Sequence, residues 1–345
     1  MNSRYIFFIL IPVFFGLTSC NSSKPVEPAV FEFSHKITGT EKIEAIQTKE
    51  IKPEAKKTTE KQSVETQNTD LEEKDIKPLP EKQPIKDTEN HFIKRFNIGY
   101  LTFNVGDFYA ELKPIESTDN YTRYYFRLFS RSNNFIDYLF GWRSNTVSIF
   151  KTDDKGVYPE SFQSKILLKN KAKEMEITYD ASGKKIASEQ IIPPDNRDKR
   201  PAVPEKLKVA TYPPLPMAFE ARRLVIKAFK ENNFNQRGVY TFTLPLYDGR
   251  RRSDINFILT KKKVNDFYYL KISEKQLAGY TDNELKDIKK GDKTVDIYLD
   301  TKNFWPVSAI AKSPLGSAKA IFLQNCSNGF EECIKLSETQ KKDSN

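Results

Sequence analysis

The sequence predicts a mainly β fold: curved antiparallel sheets, arranged as a sandwich or a partly open barrel, with one or two short helices. Three observations support this. Short alternating runs of apolar and polar residues recur after about residue 91. Turn sequences such as RSNN and YDGRR separate these runs, and one stretch has the pattern of a longer helix. Alternation with a period of two places apolar side chains on one face of a strand.

The run YTRYYFRLFSR at 121–131 shows this alternation most clearly. Its even positions, which include Tyr124, Phe126 and Leu128, predict a face that packs against the core. Its odd positions alternate between arginine and aromatic residues. This second face is either a binding surface or the solvent side of a sheet.

Four further runs alternate in the same way: FNIGYLTFNV at 96–105, DINFILT at 254–260, TVDIYLD at 294–300 and AKAIFLQ at 318–324. In the last run Lys319, Ile321 and Leu323 share one face, whereas Ala320 and Phe322 share the other. Runs of this kind, joined by short turns, are typical of hairpins in an antiparallel sheet.

The clearest helical pattern is PMAFEARRLVIKAFKEN at 216–232. Prolines precede it and an asparagine pair marks its end, as expected for helix boundaries. We expect this helix to lie across a sheet edge or to close one end of the fold. The proline-rich stretch 191–216 before it predicts a long connection between two β-rich halves.

The first 20 residues have the order of a bacterial lipoprotein signal peptide. Arg4 precedes an apolar segment, IFFILIPVFFGL, that is too short for a membrane span. LTSC at 17–20 resembles a lipobox, whose cysteine, here Cys20, is lipidated. We therefore expect a lipid anchor at Cys20. Asn21 after it favours the outer membrane, with the folded domain in the periplasm.

Residues 21–90 have the composition of a disordered spacer, rich in Lys, Glu, Thr, Gln and Pro. Such a chain has a reach of roughly 45 Å. An alternative is a tether that binds the cell wall or a partner. Residues 91–345 then form the folded β domain.

Two cysteines remain besides Cys20. Cys326 and Cys333 flank the tight-turn pair Asn328-Gly329, so their thiols are expected to face each other across a hairpin. Outside the cytoplasm they would form a disulfide. A redox-active pair is less consistent with this spacing, which is not CxxC.

The residues for most catalytic machinery are absent. The chain has two histidines, His35 and His91, and both precede the predicted core strands. This excludes histidine-based nucleophilic triads and histidine-bearing zinc sites in the domain. We expect no enzyme activity, no metal and no cofactor. Asp296 and Asp300 leave open a carboxylate-based glycan hydrolase, but on a turn-bounded strand a solvated acidic face explains them better.

Positive charge is concentrated in the domain. The net charge is +10, and the spacer holds 12 lysines against 15 acidic residues. Clusters occur at 250–252, at 261–263 and at Lys286, Lys289 and Lys290. Outside the cytoplasm the expected anionic partners are lipid headgroups or glycans rather than nucleic acid.

Several stretches resemble the DUF3108 family of bacterial periplasmic proteins. FNIGYLTFNVGDFYAEL at 96–112 resembles its first strand pair. The turn with Gly156, Pro159 and Phe162 resembles its G-x-x-P-x-x-F motif, and 295–324 resembles its closing hairpin. The resemblance covers most of 92–325. It implies a curved, mostly antiparallel β fold and no activity.

The odd-numbered face of 121–131 is the candidate binding site, because arginine stacked on tyrosine suits phosphate or carboxylate groups. Its residues are Tyr121, Arg123, Tyr125, Arg127 and Arg131. We expect a non-enzymatic envelope lipoprotein that binds an anionic lipid or glycan in envelope assembly or maintenance. The alternative is a scaffold that binds a protein partner.

Overall fold

The computed structural model describes residues 90–101, 103–133, 141–168, 171–193, 200–289, 294–313 and 316–335. The predicted signal peptide with Cys20, and the spacer as far as residue 89, lie outside the described residues.

Strands dominate the described residues. The strands are β1 Phe92–Tyr100, β2 Phe103–Ser117, β3 Thr122–Ser132, β4 Trp142–Thr152, β5 Val157–Leu168, β6 Lys171–Tyr179, β7 Ile186–Ile192, β8 Val239–Tyr247, β9 Arg252–Val264, β10 Phe267–Ala278, β11 Thr294–Leu299, β12 Pro306–Ser313 and β13 Gly316–Asn325. The helices are α1 Glu205–Lys208, α2 Pro214–Lys230 and α3 Asp282–Lys289. A helical turn follows at 330–335.

All the strands belong to one sheet, in the order β7-β6-β5-β4-β3-β2-β1-β13-β12-β11-β10-β9-β8, and every pair of neighbours is antiparallel. The chain runs from the centre to one edge, crosses to the other edge and returns strand by strand. β1 and β13 therefore pair at the centre, with Asn97 opposite Ile321. The prediction of a mainly antiparallel β fold is confirmed, in the form of one open sheet.

The sheet is strongly curved, because helix α2 contacts both β4 and β8. These strands are nine places apart in the sheet order. In a flat sheet nine spacings of about 4.8 Å would separate them by roughly 43 Å. The sheet therefore bends around the helix, and its inner face packs against α2.

Two sets of side chains on α2 pack against different parts of the sheet. Leu215 and Phe219 near its start lie in a core cluster with residues of β1 to β5. Met217, Val225 and Ala228 lie in a second cluster with residues of β8 to β12. The helix was expected at a sheet edge or end. It instead fills the inner face, because apolar residues occur around most of its circumference.

The 46-residue region between β7 and β8 connects the two edges of this one sheet, and thus joins the half formed by β1 to β7 to the half formed by β8 to β13. The backbone N–H of Ala210 donates to the carbonyl of Lys184 next to β7, at 2.7 Å. The N–H of Tyr212 donates to the carbonyl of Pro245 in β8, at 2.8 Å. This connection is therefore hydrogen-bonded to the turn before β7 and to the edge strand β8, and it covers part of the β8 edge against pairing with other chains.

Candidate functional site

The predicted alternation in β3 is confirmed. Tyr124, Phe126 and Leu128 are buried against the core, whereas the odd-numbered residues from Arg123 to Arg131 lie half-buried on the outer face. The odd-numbered residues of β3 thus share one face of the sheet, as expected. Whether this face can bind an external anion depends on which partners its arginines already have within the protein.

Each arginine of this face has a partner within the protein. The guanidinium Nε of Arg123 donates to Glu160 Oε2 at 2.7 Å. Arg127 donates to Asn145 Oδ1 at 3.0 Å and pairs with Glu331 at 3.2 Å. Arg131 donates to a backbone carbonyl near the chain end, at 3.3 Å. Little of this positive charge is therefore left for an external anion.

The tyrosines of the face are also engaged. The hydroxyl of Tyr121 donates to Glu116 at 2.5 Å, which raises the pKa of this tyrosine. The ammonium of Lys151 lies 4.9 Å from the centre of the Tyr121 ring, and that of Lys113 lies 4.8 Å from the Tyr125 ring. Burial raises the pKa of Tyr125 to about 12, so both phenols stay neutral at physiological pH.

A disulfide-closed segment at 326–335 covers one end of the β3 face. Phe330 lies beneath the guanidinium of Arg127, with 4.2 Å between Arg127 Cζ and the ring centre. Cys326 and Cys333 form the expected disulfide, with their Cα atoms 5.7 Å apart. The expected hairpin is wrong: Cys326 follows β13 and Cys333 lies in the helical turn, and Gly329 between them has φ 101°. Glycine suits this left-handed conformation.

The arginine triplet 250–252 is buried rather than exposed. Arg251 pairs with Asp248 at 2.9 Å and with Glu284 of α3 at 3.7 Å. Arg200 forms a bidentate pair with the same Glu284, at 2.8 and 2.9 Å. Arg251 of this triplet therefore links the start of β9 to helix α3. In the sequence, the nearby Asp248 is the one sign that these arginines are paired rather than exposed.

The two acids considered for hydrolysis serve different local structures. Asp296 in β11 accepts a hydrogen bond from the Tyr269 hydroxyl at 2.6 Å and pairs with Lys312 at 3.3 Å. Burial and this bond raise the pKa of Tyr269. Asp300 accepts hydrogen bonds from the backbone N–H groups of Lys302 and Asn303 in a turn. The structure gives each carboxylate a structural role.

A different surface has exposed apolar side chains and three lysines, two of which form no ion pair among the described residues. It lies on the outer face of β9 to β13 and we call it the lysine-bordered stripe. Its members are Ile258, Tyr269, Lys271, Tyr298, Ile310, Lys312, Lys319, Ile321 and Leu323. Five strands at about 4.8 Å give it a width of roughly 20 Å.

Strand register places these residues side by side. Tyr269 is opposite Tyr298, and Ile310 is opposite Lys319. Ile321 and Leu323 are 41% and 48% exposed, which is high for large apolar residues inside a strand. The stripe is therefore a partly solvent-exposed apolar surface that also contains basic side chains.

The charge of the stripe is positive. Lys271 and Lys319 form no ion pair within the described parts of the chain, and Lys312 pairs with the largely buried Asp296. With one acid among the three lysines, the excess is two positive charges. The sequence carried a signal for this surface. In β13 the alternation of Ala318 and Ala320 with larger residues puts the small side chains inside.

In the described ranges no group of three or more His, Cys, Asp and Glu side chains is arranged to hold a metal ion. None of the helices in these ranges has the length and apolar character that crossing a membrane requires.

Comparison with known proteins gives a family but no activity. The model of the DUF3108 family, described as "Protein of unknown function", matches residues 95–322. No curated protein matches the chain. A crystal structure titled as a beta-barrel-like protein of the domain of unknown function DUF1849 from Brucella abortus is similar, with 12% sequence identity and a TM-score of 0.39. The match covers 68% of this chain and 96% of that one.

Proposed function

The chain belongs to the DUF3108 family, and from this starting point we propose that it is a non-enzymatic lipoprotein of the bacterial envelope whose domain binds an anionic envelope component, a lipid or a glycan. The observation that carries this proposal is the lysine-bordered stripe. Binding holds the domain against an envelope surface, which is a role in envelope assembly or maintenance.

The charge of the stripe favours an anionic ligand. Lys319 lies opposite Ile310, and Lys271 lies opposite Asp296, whose printed ion pair is with Lys312; neither Lys271 nor Lys319 forms an ion pair among the described residues. An anion can therefore bind the ammonium groups of Lys271 and Lys319 without breaking an existing ion pair. The β3 face differs, because Arg123 and Arg127 would first have to leave Glu160 and Glu331.

The apolar members of the stripe add contact area. Tyr269 and Tyr298 lie side by side with their ring centres 5.8 Å apart. Flat phenol rings suit the apolar face of a sugar ring or the boundary region of a lipid layer. Ile321 and Leu323 extend this surface towards the centre of the sheet.

The predicted anchor supports the same proposal. A lipidated Cys20 would hold the chain on a membrane, and a spacer of about 70 residues has a reach of roughly 45 Å. Such a tether keeps the stripe at a high effective concentration near the membrane and the wall, so weak binding is sufficient.

The test compares two lysine variants of the chain 21–345, which contains every described residue and no lipid anchor. The stripe variant carries Lys271→Ala, Lys312→Ala and Lys319→Ala. Each lysine near an anionic surface contributes about 1 kcal/mol, so binding to phosphatidylglycerol vesicles should weaken roughly 100-fold. Co-sedimentation at low salt, and retention on an immobilised carboxylated polysaccharide, measure this loss.

The control variant carries Lys155→Ala, Lys184→Ala and Lys185→Ala. These lysines are exposed in turns at other places, and the change in net charge is the same. A double variant, Arg123→Gln and Arg127→Gln, should bind as the parent does. Equal losses in the stripe and control variants would show that only net charge matters and would refute the site.

A further inference from the structure

The hairpin between β1 and β2 ends in two exposed apolar residues, Leu101 and Phe103. They are 59% and 70% exposed, the highest values for large apolar side chains among the described residues. Singly exposed apolar residues are common on protein surfaces. Two of them at the end of one hairpin form a concentrated apolar tip.

The backbone at this tip adopts an unfavourable conformation. Leu101 has φ 54°, in the left-handed region where glycine or asparagine is the usual residue. For a leucine this conformation costs roughly 1–2 kcal/mol. Folding alone therefore favours glycine at this position, and the leucine side chain needs another explanation.

Positive charge lies directly behind the tip. The N–H of Leu101 donates to the carbonyl of Ser317 at the start of β13, at 3.0 Å. Lys312 lies opposite Ser317, and Lys319 lies opposite Gly99 of β1. Leu101 thus adjoins the basic end of the lysine-bordered stripe, whereas Phe103, opposite Tyr100, lies at the same end of the hairpin on the other face of the sheet.

From this juxtaposition we infer that Leu101 and Phe103 insert into the apolar layer of an anionic lipid membrane while Lys312 and Lys319 bind its phosphate groups. Apolar residues at the tip with lysines one step behind match the layered structure of a membrane surface, where chains lie beneath charged headgroups. A glycan offers charge but no apolar layer for the tip. The inference rests on the proposed function and specifies its ligand as lipid.

The test uses the chain 21–345 with vesicles of phosphatidylcholine alone and with added phosphatidylglycerol. The tip variant carries Leu101→Gly and Phe103→Ser. It should lower the partition coefficient on anionic vesicles at least about tenfold, since each side chain loses its apolar burial. Its denaturation midpoint should stay unchanged or rise, because glycine suits the backbone at position 101.

The matched control is Ile115→Ser. Ile115 lies at the other end of β2 and is 40% exposed, so it removes a similar apolar side chain far from the tip. This control should bind vesicles as the parent does.

A Phe103→Trp variant reports insertion directly. Its emission should shift to shorter wavelengths with anionic vesicles and be quenched by lipids brominated on their acyl chains. Unchanged binding by the tip variant together with an unshifted spectrum would overturn the inference. If the stripe variant still loses binding in that case, the proposed function stands with headgroup contact only. If the parent binds the polysaccharide but no vesicle, lipid is the wrong ligand.

Discussion

Replacing Phe219 with alanine removes the aromatic ring by which helix α2 holds the N-terminal strands. Phe219 is 5% exposed, and its ring centre lies 5.0 Å from those of Tyr124 and Phe150. A buried phenylalanine contributes about 150 Å² or more of apolar area, which at about 25 cal/mol per Å² is about 4 kcal/mol. This agrees with the loss of about 3–5 kcal/mol usual for such truncations. We expect that loss in the free energy of unfolding.

Urea denaturation of the chain 21–345 measures the effect. Fluorescence of Trp305 is a suitable signal because its ring lies 6.1 Å from that of Phe219. The control is Phe103→Ala, the same substitution at an exposed position, for which we expect a change within about 0.5 kcal/mol. A loss below about 1 kcal/mol for Phe219→Ala would refute the assignment of α2 as the centre of the core.

Two further predictions concern the disulfide after β13 and the ion pair between Arg200 and Glu284. Replacing Cys326 and Cys333, which are seven residues apart, with serine should lower the free energy of unfolding by roughly 2 kcal/mol. Equal urea midpoints for the parent with and without a dithiol reductant would argue against this contribution. Glu284→Gln should cost about 3–5 kcal/mol because it leaves the buried guanidinium of Arg200 without its carboxylate. A loss no larger than that of the exposed control Glu332→Gln would contradict this.

The antiparallel fold was predictable because alternation in a strand is a local property. In β3 the pattern of buried Tyr124 and Phe126 between half-buried neighbours is visible in the sequence and holds in the structure. Helix α2 was predictable for the same reason, within two residues at its start. Its location on the inner face depends on sheet curvature, which no local pattern encodes.

The proposed binding surface was harder to predict because charge pairing is a long-range property. Arg127 meets Glu331, 204 positions away, so the sequence could not show that its charge is already used. In β13 the larger residues Ile321 and Leu323 face outward, whereas Ala318 and Ala320 face inward. The larger Phe322 of the same strand packs inward against Phe96, so side-chain size by itself does not decide which face of β13 is buried.

The central pairing of β1 with β13 has a consequence for how the chain is made. β1 can form its hairpin with β2 early, but its other edge has no partner until residues 316–325 have emerged. Until β13 pairs, the middle of the sheet is therefore an unpaired strand edge, which is a template for pairing with other chains. A chain that stops before β13 would retain this edge permanently. Its aggregation, more than any lost contact, would limit its yield.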